Sequence, residues 1–384
     1  MSVRSHLDDP HAFYTNLDFI SGRVILNLSR EDDVSAILVK LEGESNTRMA
    51  IPEDPRMRGD SRIQYLQENH KILYKVQQVF PSSDIAPGTP SAYTLRPGQH
   101  EYPFRFKFPF NNGCATYQKS IGFAGIRLID LPDQTPYRHV TKTLPPSLNG
   151  FSAEAEIRYY IKVTVQRPSI WKGNRRSEVG LKFLPIEPIR PQPSNAETFA
   201  RRPHKFQAGL SPFAKKQQLM FQRRPTQLSN TPPSVLVDAR LPSPAILTCN
   251  EAIPLRILVK KQAESPEYVF LIGLQIDLIG HTKLRAQQLI KTETGTWVVM
   301  SVTGLTIPIG NPSDPVGTES QIDSKIWDRI PLPPTVTPSF DTCNISRIYE
   351  IDVRVTLGYG YPQEIQVSSK TFFFFFFFFF LGGG

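Results

Sequence analysis

Two runs of strict alternation dominate this chain. Between residues 102 and 109, Tyr102, Phe104, Phe106 and Phe108 share one side, while Arg105 and Lys107 share the other. Between 155 and 166, Ala155, Ile157, Tyr159, Ile161, Val163 and Val165 alternate with Glu156, Arg158, Tyr160, Lys162, Thr164 and Gln166. A strand points successive side chains to opposite faces, so each run offers one face to a core and one to water. A helix would scatter the same charges around its circumference. Paired strands of this kind build a sandwich, a scaffold that binds more often than it catalyses.

The same grammar recurs on either side. Residues 20–28 and 34–41 read as strands separated by the turn-like Ser29-Arg30-Glu31-Asp32-Asp33, and Ile72, Tyr74, Val76 and Gln78 alternate with Leu73, Lys75, Gln77 and Val79. The polar stretch 42–62 and the segment 81–97 read as loops. Residues 111–146 resemble an insertion, with a short helix or strand at 120–131, and Lys182-Phe183-Leu184-Pro185 closes a first domain. Further on, Ile253, Leu255, Ile257 and Val259 alternate with Pro254, Arg256, Leu258 and Lys260. Phe270, Ile272, Leu274, Ile276 and Leu278 form the apolar side of another strand, and Tyr349, Ile351, Val353, Val355 and Leu357 alternate with Glu350, Asp352, Arg354 and Thr356. The pattern predicts an all-β chain with one domain over residues 1–187 and a second over 235–371.

Composition changes between them. Residues 188–234 hold eight prolines and eight basic residues against Glu197 alone, a net +7 out of the formal +9 of the chain. Little apolar periodicity is present, so this segment is expected to be a basic, proline-rich linker. Its Arg201, Arg202, Lys205, Lys215, Lys216, Arg223 and Arg224 are the candidate contacts with an anionic membrane surface, worth about 1 kcal/mol for each residue near the leaflet before salt screening. The alternative is a solvated spacer. Nucleic acid is not an expected partner, because Phe199, Phe206, Phe213 and Phe221 are too few aromatics and no recognised module surrounds them. Residues 372–380 are nine consecutive phenylalanines. A run apolar on both faces invites aggregation, so 372–384 is expected to be an artefact outside the fold.

Bulk properties agree with two ordinary cores. The 384 residues are 40% hydrophobic and 21% charged, with 35 prolines and 23 glycines to punctuate short strands. Cys114, Cys249 and Cys343 have neither disulfide nor metal spacing, which suits buried or incidental thiols in a reducing compartment. Residues 1–14 lack an apolar signal region, and an intracellular location is expected. No nucleophile elbow, phosphate-cradling glycine loop or His-Glu metal helix occurs, and the seven histidines are scattered. Catalytic, cofactor-binding and metal residues are therefore expected to be none.

In their order, several blocks resemble the fungal alpha-arrestins. In the first half these are Arg96-Pro97-Gly98, Tyr102-Pro103-Phe104-Arg105-Phe106, Leu144-Pro145-Pro146-Ser147-Leu148, Ile157-Arg158-Tyr159-Tyr160-Ile161 and Gln166-Arg167-Pro168. In the second they are Pro254-Leu255-Arg256-Ile257, Leu332-Pro333-Pro334 and the strand at 348–357. The resemblance implies two immunoglobulin-like β-sandwich domains of arrestin type, end to end, and no catalysis. It implies a trafficking adaptor that is cytoplasmic, recruited to the plasma membrane or endosomes, and bound to membrane-protein cargo such as transporters or receptors. Such adaptors bring a HECT-type ubiquitin ligase to cargo through Pro-Pro-x-Tyr peptides, which suit WW domains because they are already extended. The Pro-Pro pairs of this chain instead lead to Leu148, Val235 and Val336, with Ser265-Pro266-Glu267-Tyr268 a degenerate version. The alternative is a retromer-like or structural sorting scaffold without a ligase.

Overall fold

The computed structural model describes residues 1–11, 13–51, 64–81, 92–114, 141–151, 154–169, 173–186, 195–206, 233–264 and 267–360, and the backbone of 366–379. Strands make up nearly all of its regular structure, and a 3-10 turn spans Ser324–Ile326. The chain divides into two compact units. The first comprises Met1–Ile186, Thr282–Glu293 and Phe340–Arg347; the second comprises Glu187–His281, Thr294–Ser339 and Ile348–Gly384.

In the first unit a three-stranded sheet runs in the order Ser2–Leu7, Phe19–Leu28, Gly98–Lys107. A five-stranded sheet runs Arg175–Leu181, Ala155–Gln166, Ala36–Ala50, Tyr65–Phe80, with Leu148–Phe151 also pairing with Ala155–Gln166. The alternation predicted this core. Phe104, Phe106 and Phe108 are buried, as are Ala155, Ile157, Tyr159, Ile161, Val163 and Val165, while Arg105 and Lys107 are exposed. Side chains of that size contribute about 1.5–3 kcal/mol each when removed from water. Phe183 stacks into the same cluster, with ring centroids 5.2 Å from Phe108 and 4.8 Å from Tyr159.

Two expected loops of this unit contain strands. The Ala36–Ala50 strand continues through the polar residues from Glu42 onward, and Tyr93–Leu95 pairs with Asp32–Val34. The reason in the first case is that Glu42, Ser45 and Thr47 are buried with polar partners, so apolar alternation stops while the ladder continues. Tyr160 is buried on the nominally outer face of its strand for the same reason: its hydroxyl donates to Glu42 Oε2 at 3.0 Å and Glu44 Oε1 at 2.8 Å. The segment expected at 120–131 lies outside the described residues.

The second unit holds a four-stranded sheet ordered Glu197–Lys205, Ser234–Pro242, Arg256–Lys261, Glu319–Gln321. A larger sheet takes the order Ile246–Thr248, Gln366–Phe379, Ile345–Gly360, Tyr268–Ala286, Leu289–Val302. Its core gathers Val237, Ile257, Leu274, Ile276, Tyr349, Ile351 and Val353 with Trp327, whose Nε1 donates to Leu255 O at 3.2 Å.

Three boundaries differ from the sequence reading. Glu197–Lys205, inside the expected 188–234 linker, is a strand in register with Ser234–Pro242. An edge strand needs no apolar outer face, so prolines and charges do not disqualify it. Thr282–Glu293 and Phe340–Arg347, inside the expected 235–371 domain, belong to the first unit. The phenylalanine run, expected to stay outside the fold, forms most of the Gln366–Phe379 strand, antiparallel to Ile345–Gly360. Backbone ladders form whatever the side chains are, and phenylalanine favours extended backbone.

Candidate functional site

Of the seven basic residues singled out from the sequence, Arg201, Arg202 and Lys205 lie exposed on the Glu197–Lys205 strand. Lys215, Lys216, Arg223 and Arg224 lie outside the described residues. The strand carries its own counter-charge. Arg201 Nε donates to Asp238 Oδ2 at 3.0 Å and its guanidinium lies 4.1 Å from the Phe199 ring centroid. Arg240 bridges Asp238 and Glu197, and Arg256 reaches Glu197 as well. Asp238 therefore offsets Arg201, leaving Arg202 and Lys205 as the outward-facing charges of this strand.

A second basic surface sits where the two sheets of the first unit meet at their open edge. Gly98–Lys107 ends one sheet and Tyr65–Phe80 ends the other. Lys107 stands opposite Phe19, and Arg105 opposite Ser21, so Phe19, Arg105 and Lys107 share an outer face. Phe19 is half exposed, with the Arg105 guanidinium 4.2 Å and Lys107 Nζ 5.2 Å from its ring centroid. Across the edge, Lys75 Nζ donates to Lys107 O at 2.6 Å, and the Arg105 backbone N–H donates to Gln77 Oε1 at 3.1 Å. Burial pushes the Lys75 ammonium below its ordinary value, and the Lys107 charge pushes it further in the same direction. Like charges held together at an exposed edge mark a surface suited to an acidic partner. Periodicity gave Arg105 and Lys107 a common face but could not place Lys75 beside them.

A third group is buried in the first unit. Ser45 pairs with His70 and Thr47 with Glu68 across two neighbouring strands, which puts four polar side chains on one face of the sheet. Glu68 is a hub: Oε1 accepts from His70 Nε2 at 2.6 Å and from Arg285 Nη2 at 2.8 Å, while Oε2 accepts from the Gln287 backbone N–H at 2.7 Å. Asn344 Nδ2 donates to Ser45 O at 3.1 Å and to Thr47 Oγ1 at 3.2 Å, and Ser45 Oγ donates to Asn344 Oδ1 at 2.6 Å. Thr342 closes the turn before Ile345 by donating to its carbonyl and accepting from its N–H. These bonds fasten Thr282–Glu293 and Phe340–Arg347 onto the first unit.

Cys114 and Cys343 complete the buried group. Cys114 Sγ lies 3.3 Å from His70 Nδ1, and the ligand atoms of His70, Cys114 and Cys343 all lie within 4.8 Å of one another. Hydrogen bonding with Cys343 pushes the Cys114 thiol well up, and burial adds to it. Burial works against a charged His70, but hydrogen bonds with Cys343 and Glu68 more than offset it, and the imidazole sits above its ordinary value. No spacing rule could have flagged this trio, since chain separation hides it. Cys249 is buried in the core of the second unit. Among the described residues no helix is long and apolar enough to cross a membrane.

Residues 3–123, within this first unit, match the family model of the arrestin (or S-antigen) N-terminal domain. With its sandwiched sheets, the chain is all-β in architecture and is similar to the alpha-arrestins over that stretch. Its relatives include three fungal proteins named arrestin-related trafficking adapter 10. The protein from Candida glabrata is 25% identical over 219 residues, 54% of this chain and 41% of its own length. That from Lachancea thermotolerans is 24% identical over 165 residues, 41% of this chain and 36% of its own length. That from Eremothecium gossypii is 26% identical over 196 residues, 48% and 43% respectively. The chain thus matches well under half of the length of each relative.

Proposed function

We propose that this chain is a non-catalytic trafficking adaptor that binds membrane-protein cargo, transporters or receptors, and couples it to ubiquitin-dependent endocytosis or sorting. It works in the cytoplasm and is recruited to the plasma membrane or endosomes. The observation that carries this reading is the arrestin N-terminal match over residues 3–123, joined to relatives named as trafficking adapters. The basic, aromatic edge formed by Phe19, Lys75, Arg105 and Lys107 supports an acidic cytoplasmic tail as the cargo element. An extended peptide can align on such an edge while its carboxylates meet the cations. The test is binding of the full-length chain to an immobilised acidic transporter tail. Reversal of Arg105 and Lys107 to Glu should weaken binding and flatten its salt dependence; unchanged binding with an unchanged salt slope overturns this docking mode.

Burial of the Pro-Pro segments favours a second reading, a sorting scaffold that contacts no ligase through them. Leu148 and Val336, standing where tyrosine would be needed, are 3% and 1% exposed. Pro145 O accepts from the buried Tyr159 hydroxyl at 2.6 Å. Those two segments serve the core. Capture of the chain by isolated WW domains would count against this alternative.

A further inference from the structure

We propose that His70, Cys114 and Cys343 form a binding site for one zinc-class divalent ion, and that this ion fastens the Phe340–Arg347 segment to the first unit. Three donors converge there from three separate stretches of chain: the Tyr65–Phe80 strand, Cys114, and the turn closed by Thr342. Tetrahedral zinc, with bonds of about 2.3 Å to sulfur and 2.0 Å to nitrogen, sets sulfur–sulfur distances near ~3.8 Å and sulfur–nitrogen distances near ~3.6 Å. The trio lies within 4.8 Å, and the His70–Cys114 pair at 3.3 Å needs an opening of only ~0.3 Å to reach that geometry.

The surroundings complete the site. Glu68 accepts from His70 Nε2 at 2.6 Å, which fixes the imidazole ring and leaves the Nδ1 lone pair directed toward Cys114. A carboxylate behind a ligating histidine is the arrangement that orients imidazole at metal centres and raises its basicity. Charge balances as well. Two thiolates and a neutral imidazole cancel a divalent cation, and Arg285 offsets Glu68 at 2.8 Å. Neutral bookkeeping matters in a buried site, where an uncompensated ion is costly. Binding releases the two thiol protons to solvent and changes no oxidation state. Sulfur and imidazole select a zinc-class ion over magnesium or calcium, and three protein donors leave the fourth position to water or an added ligand.

The test is a cobalt(II) titration of the full-length chain, purified and held under anaerobic reducing conditions. The expected result is saturation at about one equivalent, with the intense visible bands of tetrahedral cobalt, a thiolate-to-cobalt charge-transfer band, and loss of both on adding zinc. Cys249→Ser should keep the full signal, whereas Cys114→Ser and Cys343→Ser should each lose the charge-transfer intensity. Glu68→Gln, which leaves the three ligands in place, should weaken binding about 10–100-fold. If a cysteine variant does not fold, the spectrum of the unaltered chain decides alone. A weak octahedral spectrum, the absence of thiolate bands, equal loss in Cys249→Ser, or a Cys114–Cys343 disulfide found by peptide mapping of the native chain each overturn the assignment.

Discussion

Gly43 stands opposite Tyr159 in the register of the Ala36–Ala50 and Ala155–Gln166 strands. A methyl group added there would lie 2.7 and 2.8 Å from two ring carbons of Tyr159 and 3.0 Å from Leu73 Cβ. Ordinary carbon contacts begin near ~3.5 Å, so the ring would have to retreat by roughly 0.7 Å. It has nowhere to go: Tyr159 is 1% exposed, its hydroxyl holds Pro145 O at 2.6 Å, and Phe183 lies 4.8 Å away between centroids. Overpacking of this kind costs about 1–3 kcal/mol, and the reduced freedom of alanine in the unfolded chain returns about 0.4–1 kcal/mol. Gly43→Ala should therefore destabilise the first unit by about 1–2 kcal/mol. Because two units need not unfold together, the assay is native-state hydrogen exchange at the amides of Ala36–Ala50, which report local opening. Exchange should accelerate roughly 5–30-fold, and adding Tyr159→Val should give a loss smaller than the sum of the two single changes. Exchange as slow as in the parent, or slower, would refute the packing argument.

Removing the Glu68 hub by Glu68→Ala takes the carboxylate from the buried His70 and the partly exposed Arg285 guanidinium and should cost about 1–3 kcal/mol, measurable by chemical denaturation, with earlier proteolysis in the segment 282–293. Burial would raise the Glu44 carboxyl, but hydrogen bonds from Tyr160 and Arg158 and the charges of Lys71 and Arg158 more than offset this and hold it below its ordinary value. Its stabilisation is thus complete above the unfolded carboxylate value and lost as pH falls through the lower folded one. Hydrogen exchange below about pH 4 should show the parent losing more stability than Glu44→Gln on the same descent. Reversing Arg202 and Lys205 to Glu should weaken sedimentation with phosphatidylserine vesicles by several-fold per residue at low salt, from about 1 kcal/mol per basic side chain. Equal binding would reduce the strand to a purely structural role.

The legible part of this fold is the part whose inner faces are apolar. Phe104, Phe106 and Phe108, and the apolar positions from Ala155 to Val165, announced their burial because period-two alternation was unbroken. The continuation from Glu42 was hidden because the inward positions Ser45 and Thr47 are polar and answered by partners far along the chain. Glu197–Lys205 was hidden because prolines and arginines on an edge strand look the same as those of a spacer. The His70 trio was illegible for a simpler reason: His70 and Cys114 are 44 positions apart, and Cys343 is farther still. Of the basic residues, pattern gave candidates, while the acid that neutralises Arg201, Asp238, appeared only when the strands were paired.

The attachment of Thr282–Glu293 and Phe340–Arg347 to the first unit has a consequence for birth of the protein on the ribosome. Sheets begun near the amino terminus cannot acquire their last polar partners until residue 347 has left the exit tunnel. Through most of translation the Ser45 hydroxyl has only water to answer it, and Glu68 has His70 but neither Arg285 nor the Gln287 amide. A fragment stopped at Ile186 would remain in that interim condition permanently, which predicts a strong dependence on chaperones for any such truncation.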